Sequence, residues 1–228
     1  MADVGAVLEV AQLLVGYTGA PVCGEVSVSL RAGEVLGVVG LNGAGKSTVA
    51  RTIAGRQMPL SGSVSVQGFA ADPDNVRFRR NVAAVFDDDL FFPSLTVREH
   101  LLLVARGHSM KSPDRAVDAE LEFFGLEGRA DVVPEALSSG QRRRLLLAAG
   151  LMRPATLMIL DEPEQRLDPL MRDSLAHRLA GHAQDGGAVV LVTHDPALLT
   201  SVASTCLVID DVVTEVTPEQ GASTIARS

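Results

Sequence analysis

One stretch limits the fold more than any other. A nearly continuous apolar run over 34–39 leads into Gly40-Leu41-Asn42-Gly43-Ala44-Gly45-Lys46-Ser47-Thr48, and helix-compatible residues follow to about 54. The run reads as a buried parallel strand, so the chain is predicted to build an α/β fold around a mostly parallel sheet. The loop has the Gly-x-x-x-x-Gly-Lys-Ser spacing of a phosphate cradle. Its glycines let backbone N–H groups turn inward around phosphate oxygens, and the helix start adds partial positive charge. Lys46 supplies a compact cation for β- and γ-phosphates, and Ser47 a hydroxyl for Mg²⁺. Composition sharpens the reading: of 20 basic residues 18 are Arg, and Lys occurs only at 46 and 111. A Gly-rich turn with an incidental Lys is the bland alternative, and a chain that uses Arg almost everywhere else argues against it.

A phosphate cradle needs a carboxylate opposite it to hold the metal. Leu157-Met158-Ile159-Leu160-Asp161-Glu162 ends an apolar strand in two acids. Asp161 is predicted to position Mg²⁺ through water, and Glu162 to act as base or polariser for an attacking water. Around these points strands and helices alternate. Strands are predicted over 8–15, 26–30, 64–67, 81–86, 156–161 and 188–193, and helices over 170–182 and from 196. The stretch from about 88 differs. Residues 96–106 and 112–124 have helical periodicity, which marks an inserted helical subdomain reaching to about 150. Residues 206–210 and 212–216 read as a terminal hairpin, and the polar stretch 217–228 as a frayed tail. At 228 residues the whole is read as a single domain carrying a subdomain.

Charge and hydropathy remove other classes. Lys+Arg is 20 and Asp+Glu is 28, a net charge of −8 that argues against a nucleic-acid partner. Mean hydropathy is high, at +0.22, yet no apolar run reaches the ~18 residues of a membrane span. The run over 145–152 is closed off by Arg144 and Arg153. No secretory leader is evident. Cys23 and Cys206 lack metal-ligand spacing and read as buried, reduced thiols. A cytosolic protein that docks on something apolar is expected.

With these residues in place, the sequence resembles the nucleotide-binding subunit of ABC transporters over almost its whole length. Residues 40–48 match that family's Walker A motif and 157–162 its Walker B motif. Leu137-Ser138-Ser139-Gly140-Gln141 is similar to the signature Leu-Ser-Gly-Gly-Gln, Leu167-Asp168 to the D-loop, His194 to the switch histidine, and Tyr17 to the aromatic that stacks on adenine. The resemblance implies a P-loop NTPase core, an N-terminal antiparallel β subdomain and the helical insert. It implies ATP held by Tyr17, Asn42, Gly43, Gly45, Lys46, Ser47 and Thr48, and Mg²⁺ held by Ser47, Asp161 and residue 87. Lys46, Glu162 and His194 become the catalytic groups. Ser138, Gly140, Gln141 and Asp168 would serve the ATP of a second nucleotide-binding subunit packed head to tail. Transmembrane permease subunits complete the implied partners, on the inner face of the cell membrane.

The chain departs from the family pattern in places. Asp87 stands where Gln is usual, followed by Asp88 and Asp89. Asp is one methylene shorter and charged, which predicts slower turnover or altered coupling. Ser139 replaces a Gly, at a backbone cost unless its φ is negative. Glu164-Gln165-Arg166 replaces a small polar run. Arg142, Arg143 and Arg144 read mainly as a solvated helix turn. Phe86, Phe91 and Phe92 fit either a groove for a membrane partner or the subdomain's own core. About fifty residues between Asp87 and Leu137 leave no room for the coiled coil of DNA-repair relatives. Compact length, the early end after the last strand and Leu167-Asp168-Pro169 favour an exporter over an importer, with a slow regulatory nucleotide switch as the rival.

Overall fold

A computed structural model describes residues 5–88 and 91–227, so Asp89 lies outside the described residues. Strand β1 (Ala6–Leu14) is followed by the short strands β2 (Gly16–Tyr17) and β3 (Ala20–Pro21), then β4 (Val26–Arg31) and β5 (Val35–Val39). Helix α1 (Lys46–Ile53) precedes β6 (Ser61–Val66), β7 (Phe69–Ala70), α2 (Val76–Asn81) and β8 (Val82–Val85). Three helices come next: α3 (Val97–Gly107), α4 (Pro113–Phe123) and α5 (Ser139–Leu151). The last third runs β9 (Leu157–Asp161), α6 (Pro169–Gln184), β10 (Ala188–Val192), α7 (Pro196–Val202), β11 (Thr205–Val208), β12 (Thr214–Val216) and α8 (Pro218–Ile225).

The central sheet has the order β12-β11-β5-β10-β9-β8. All its neighbours pair parallel except β12 with β11. Every residue of β5, β9 and β10 is buried, because helices or a second sheet cover both faces. The second sheet, β4-β1-β6-β7, is antiparallel. One apolar cluster joins it to α1 and one face of the central sheet, through Leu8, Leu30, Ile53 and Val190. The other joins the opposite face to α3–α6, through Leu101, Leu121, Leu145 and Leu179. Helix α5 packs close on β8: a Cβ at Gly150 would stand 2.1 Å from Val85 Cγ2. The α/β fold with an antiparallel β subdomain and inserted helices is as expected.

The short strands β2, β3 and β7 are not in the expected set, and two helices differ from expectation. The tail is a helix, not frayed. Thr217 Oγ1 and the Gln220 side chain form a capping box, Pro218 occupies the first turn, and Ala222 and Ile225 pack against Leu199 and Cys206. A few small apolar residues among polar ones suffice to dock it. Helix α2 is the other helix without a counterpart in the expected set. Asn75 caps it, accepting from the N–H groups of Arg77 and Phe78, and only Phe78 is buried.

Candidate functional site

The site lies at the C-terminal ends of the parallel strands, where an open α/β sheet presents its loops. Strand β5 delivers the loop 40–45, and α1 starts directly after it. Gly40 has φ 148° and a Cβ there would meet Ile209 O at 2.4 Å, so only Gly fits. Gly45, with φ 97°, turns the chain into α1 and lies against Val22. Lys46 is buried, and its Nζ donates to the carbonyl oxygens of Gly40 (2.9 Å) and Leu41 (2.8 Å). Burial lowers its pKa, opposed by the charges of Glu162 and Asp161. A cavity of about 200 Å³ is bounded by Asn42, Gly43, Lys46, Ser47, Thr48 and Glu162, with Tyr17 at its side. Tyr17 Oη lies 3.3 Å from Thr48 Oγ1, and the residue is 56% exposed, so a ring face is open to a planar ligand.

Asp161 closes β9 and is buried. Burial pushes its carboxyl up, and a hydrogen bond from the Ser47 side chain pulls it back. Its Oδ1 is buried with no hydrogen-bond partner among the described residues. A hydroxyl beside an unpartnered carboxylate oxygen is a hard oxygen donor pair, which fits Mg²⁺. Among the described residues no group of three His, Cys, Asp or Glu could hold a metal. A cation here would therefore take its remaining oxygens from phosphate and water, as Mg²⁺ commonly does.

Glu162 has φ 48°, and its N–H donates to Val192 O at 2.8 Å. That turn aims its carboxylate towards the loop after β10, where Oε1 lies 3.2 Å from His194 Nε2. Gln165 Nε2 donates to the other oxygen, Oε2. Glu162, His194, Lys46, Ser47 and Asp161 thus converge from three strand ends.

Residue 87 departs from its expected place. Asp87 Oδ2 pairs with Arg166 Nη2 at 2.8 Å, and Oδ1 lies 3.8 Å from Arg143 Nη1. Two cations hold the carboxylate, and Asp87 is not among the residues that bound the phosphate cavity. Asp88 is held by Arg51 through two bonds of 3.0 and 3.1 Å.

The reading of Arg142–Arg144 as a solvated turn is corrected at Arg143, which is 1% exposed. Its guanidinium donates to the carbonyl oxygens of Phe86 (3.1 Å), Asp161 (2.8 Å) and Glu162 (2.7 Å). A planar fork with several donors can serve three carbonyls at once, two of them in irregular chain. No periodicity in the sequence marks it out from its two neighbours. Arg144 reaches Asp168, which caps α6 by accepting from Met171 N at 3.0 Å. Ser138 caps α5 in a capping box with Gln141, and Ser139 is its first helical residue without positive φ, so it carries no glycine penalty. Gly140 packs against the backbone of Arg166, whose carbonyl oxygen would stand 3.1 Å from a Cβ at this position. Ser138 and Asp168 are both exposed, some distance along the chain from the phosphate loop. Glu164 and Arg166 also join the site's surroundings, and the only sequence signal for either is that both depart from the family pattern.

A glycine-lined loop at a parallel strand end, an acidic strand end beside it and a helical insert define a P-loop nucleoside triphosphatase. Residues 23–165 match the family "ABC transporter", and the chain belongs to that family. The Nod factor export ATP-binding protein I of Bradyrhizobium sp. (strain SNU001) is 39% identical over 172 residues, covering 75% of this chain and 56% of the relative. The chain thus spans little more than half the length of that relative. The ABC-type transporter ATP-binding protein EcsA of Bacillus subtilis (strain 168) is 34% identical, over 82% of this chain and 76% of the relative. A solved ATP-binding subunit of an ABC transporter superimposes with a TM-score of 0.85 at 29% identity, covering 92% of this chain and 90% of its own. A dimeric ATP-binding cassette bound to ADP and Pi shares the fold, with a TM-score of 0.82 at 22% identity over 92% of this chain and 98% of its own.

Proposed function

We propose that the chain powers a membrane exporter by binding ATP in the loop 40–48, pairing head to tail with a second nucleotide-binding subunit, and separating on hydrolysis. One observation carries the reading: the Lys46 ammonium, the Ser47–Asp161 pair with its unpartnered Oδ1, and the Glu162–His194 contact share one site. Loop N–H groups and Lys46 orient the phosphates and offset their charge. Tyr17 offers its open face to adenine. Mg²⁺, held by Ser47 and Asp161, supplies Lewis-acid charge stabilisation when bound. Glu162 orients the attacking water and takes its proton as the water oxygen bonds to the γ-phosphorus and the bridging oxygen leaves with ADP. His194, beside Glu162, donates towards the γ-phosphate oxygens. Ser138, Gly140, Gln141 and Asp168 form the face that closes on the partner's ATP.

A groove of about 460 Å³ between the core and the insert supports a membrane partner. Phe86 forms its buried floor, while Phe92 and Leu103, 56% and 47% exposed, form its open rim. Among the described residues no helix is long and apolar enough to cross a membrane, so a span must come from elsewhere. Export is favoured by the name of the Nod factor export relatives.

The test is affinity purification of Glu162→Gln, held in ATP, from detergent-solubilised source membranes, with mass spectrometry of what co-purifies. The expected result is lost ATP turnover and a co-purifying multi-span protein. A solute-binding protein alongside it overturns export. Soluble partners alone overturn the transporter reading in favour of a regulatory switch.

A further inference from the structure

Glu164 is buried, 5% exposed, on the chain between Glu162 and the D-loop. Among the described residues no Lys or Arg forms an ion pair with it. Burying a carboxylate in that state is costly, and burial indeed pushes its carboxyl up. Its hydrogen bonds show what the cost sustains. Oε1 accepts from Thr193 Oγ1 at 2.7 Å and from His194 N at 2.9 Å. Thr193 Oγ1 in turn accepts from Asp195 N at 3.0 Å. Three consecutive residues after β10 therefore hang from one carboxylate oxygen, directly or through a hydroxyl. The other oxygen, Oε2, is buried and unpartnered, so the acid is not there to satisfy itself.

The tethered segment has a consequence for the chemistry. His194 follows a strand whose last residue, Val192, accepts from Glu162 N. The turn is anchored by β10, by Thr193 N–H on Val38 O at 3.4 Å, by the start of α7, where Arg172 also reaches Asp195 at 3.3 Å, and at the His194 N–H itself by Glu164. Release of that N–H would let the imidazole leave its place 3.2 Å from Glu162. We propose that Glu164 is a positioning residue: its buried carboxylate clamps the 193–195 turn and so holds His194 against Glu162 for ATP hydrolysis. It is not among the residues that bound the phosphate cavity. The loop 40–48, which binds the nucleotide, makes no hydrogen bond to it among the described residues.

The inference rests on the roles given above to Glu162 and His194, and the experiment separates the two. Steady-state ATPase is measured for Glu164→Ala, Glu164→Gln, Thr193→Val, His194→Ala and the double variant Glu164→Ala/His194→Ala. Misplacing a reacting group by an ångström costs up to about 100-fold, so Glu164→Ala is expected to lower kcat about tenfold or more. KM for ATP should stay within about twofold, since the phosphate loop is untouched. Glu164→Gln keeps an acceptor oxygen and should recover most of the rate. Thr193→Val should lower kcat in the same direction, which keeps the idea testable if Glu164→Ala fails to fold. On the His194→Ala background Glu164→Ala should cost nothing further, an outcome that a merely structural role would not produce. Wild-type kcat in Glu164→Ala, an equal loss in KM, a Gln variant as poor as Ala, or additive losses in the double variant each overturn the proposal. Wild-type turnover in His194→Ala overturns the reading beneath it as well.

Discussion

Arg143 shows how much one side chain can hold. Its guanidinium binds carbonyl oxygens from the loop after β8 and from both acids at the end of β9, with 1% of the residue exposed. Each bond contributes about 1 kcal/mol, and a carbonyl left dry costs more. Arg143→Met is therefore expected to lower unfolding free energy by about 3 kcal/mol, read as a shift of the urea midpoint at unchanged slope. Arg143→Lys cannot span the three acceptors with a point charge and should recover less than half of that loss. Asp87, nearby, makes a different test. Its carboxylate faces Arg166 and Arg143, and on leaving them for the γ-phosphate it would oppose the negative charge that develops there. Asp87→Gln is expected to raise steady-state ATP turnover severalfold with little change in KM. An unchanged rate would show that the carboxylate stays with its arginines throughout the cycle.

Among the elements, those with a long-range reason to be apolar are legible in the sequence. Strands β5, β9 and β10 read as strands because both faces are covered and every residue is buried. Helices α3 and α4 show their faces through Leu101, Val117 and Leu121. Helices α2 and α8 are not legible because neither has the length for a periodic signal. Each depends on a cap and a few docking contacts that only the folded chain supplies. Helix α8 illustrates the point, since Gly221 sits on Cys206 and a Cβ there would stand 2.5 Å from Sγ. The Cys206 thiol is buried, and burial pushes its pKa up to about 12, so it is a poor nucleophile while α8 is docked. Native protein at pH 8 should leave Cys206 unlabelled by a thiol-specific disulfide reagent over minutes. Gly221→Val, which forces α8 off, should expose it to labelling on that time scale. Equal labelling of both proteins would mean that α8 does not guard the thiol.

At the scale of the molecule, the motifs at 40–48, 161–162 and 194 reveal residues of the site because each follows the end of a parallel strand, and parallel strands deliver their ends to one edge. The positions of Asp87 and Arg143 are not legible in the same way, because contacts between the core and the insert decide them, and Glu164 is set by its bonds to Thr193 and His194 after β10; no local pattern encodes such contacts. Asp88 belongs to the same seam. It lies where the chain leaves β8 for the insert, and it pairs with Arg51 on α1, in the core. The Arg51 hydrogen bond holds the Asp88 carboxyl below its usual range, against a smaller opposing effect of burial. The side chains are 32% and 39% exposed, so solvent screening limits the pair to about 0.5–1 kcal/mol. The sign follows from linkage. A depressed carboxyl binds fewer protons in the folded state than in the unfolded one, so its contribution is complete above the unfolded pKa of about 3.9. It is lost as pH falls through the lower, folded value. Wild type should therefore exceed Asp88→Asn in unfolding free energy by a constant margin from pH 6 to 8. That margin should shrink below about pH 4, where protonated Asp becomes as neutral as Asn. It should also narrow in about 1 M salt, which shortens the screening length to roughly 3 Å. A margin that persists in acid would assign the difference to side-chain packing, and the seam would then owe nothing to charge.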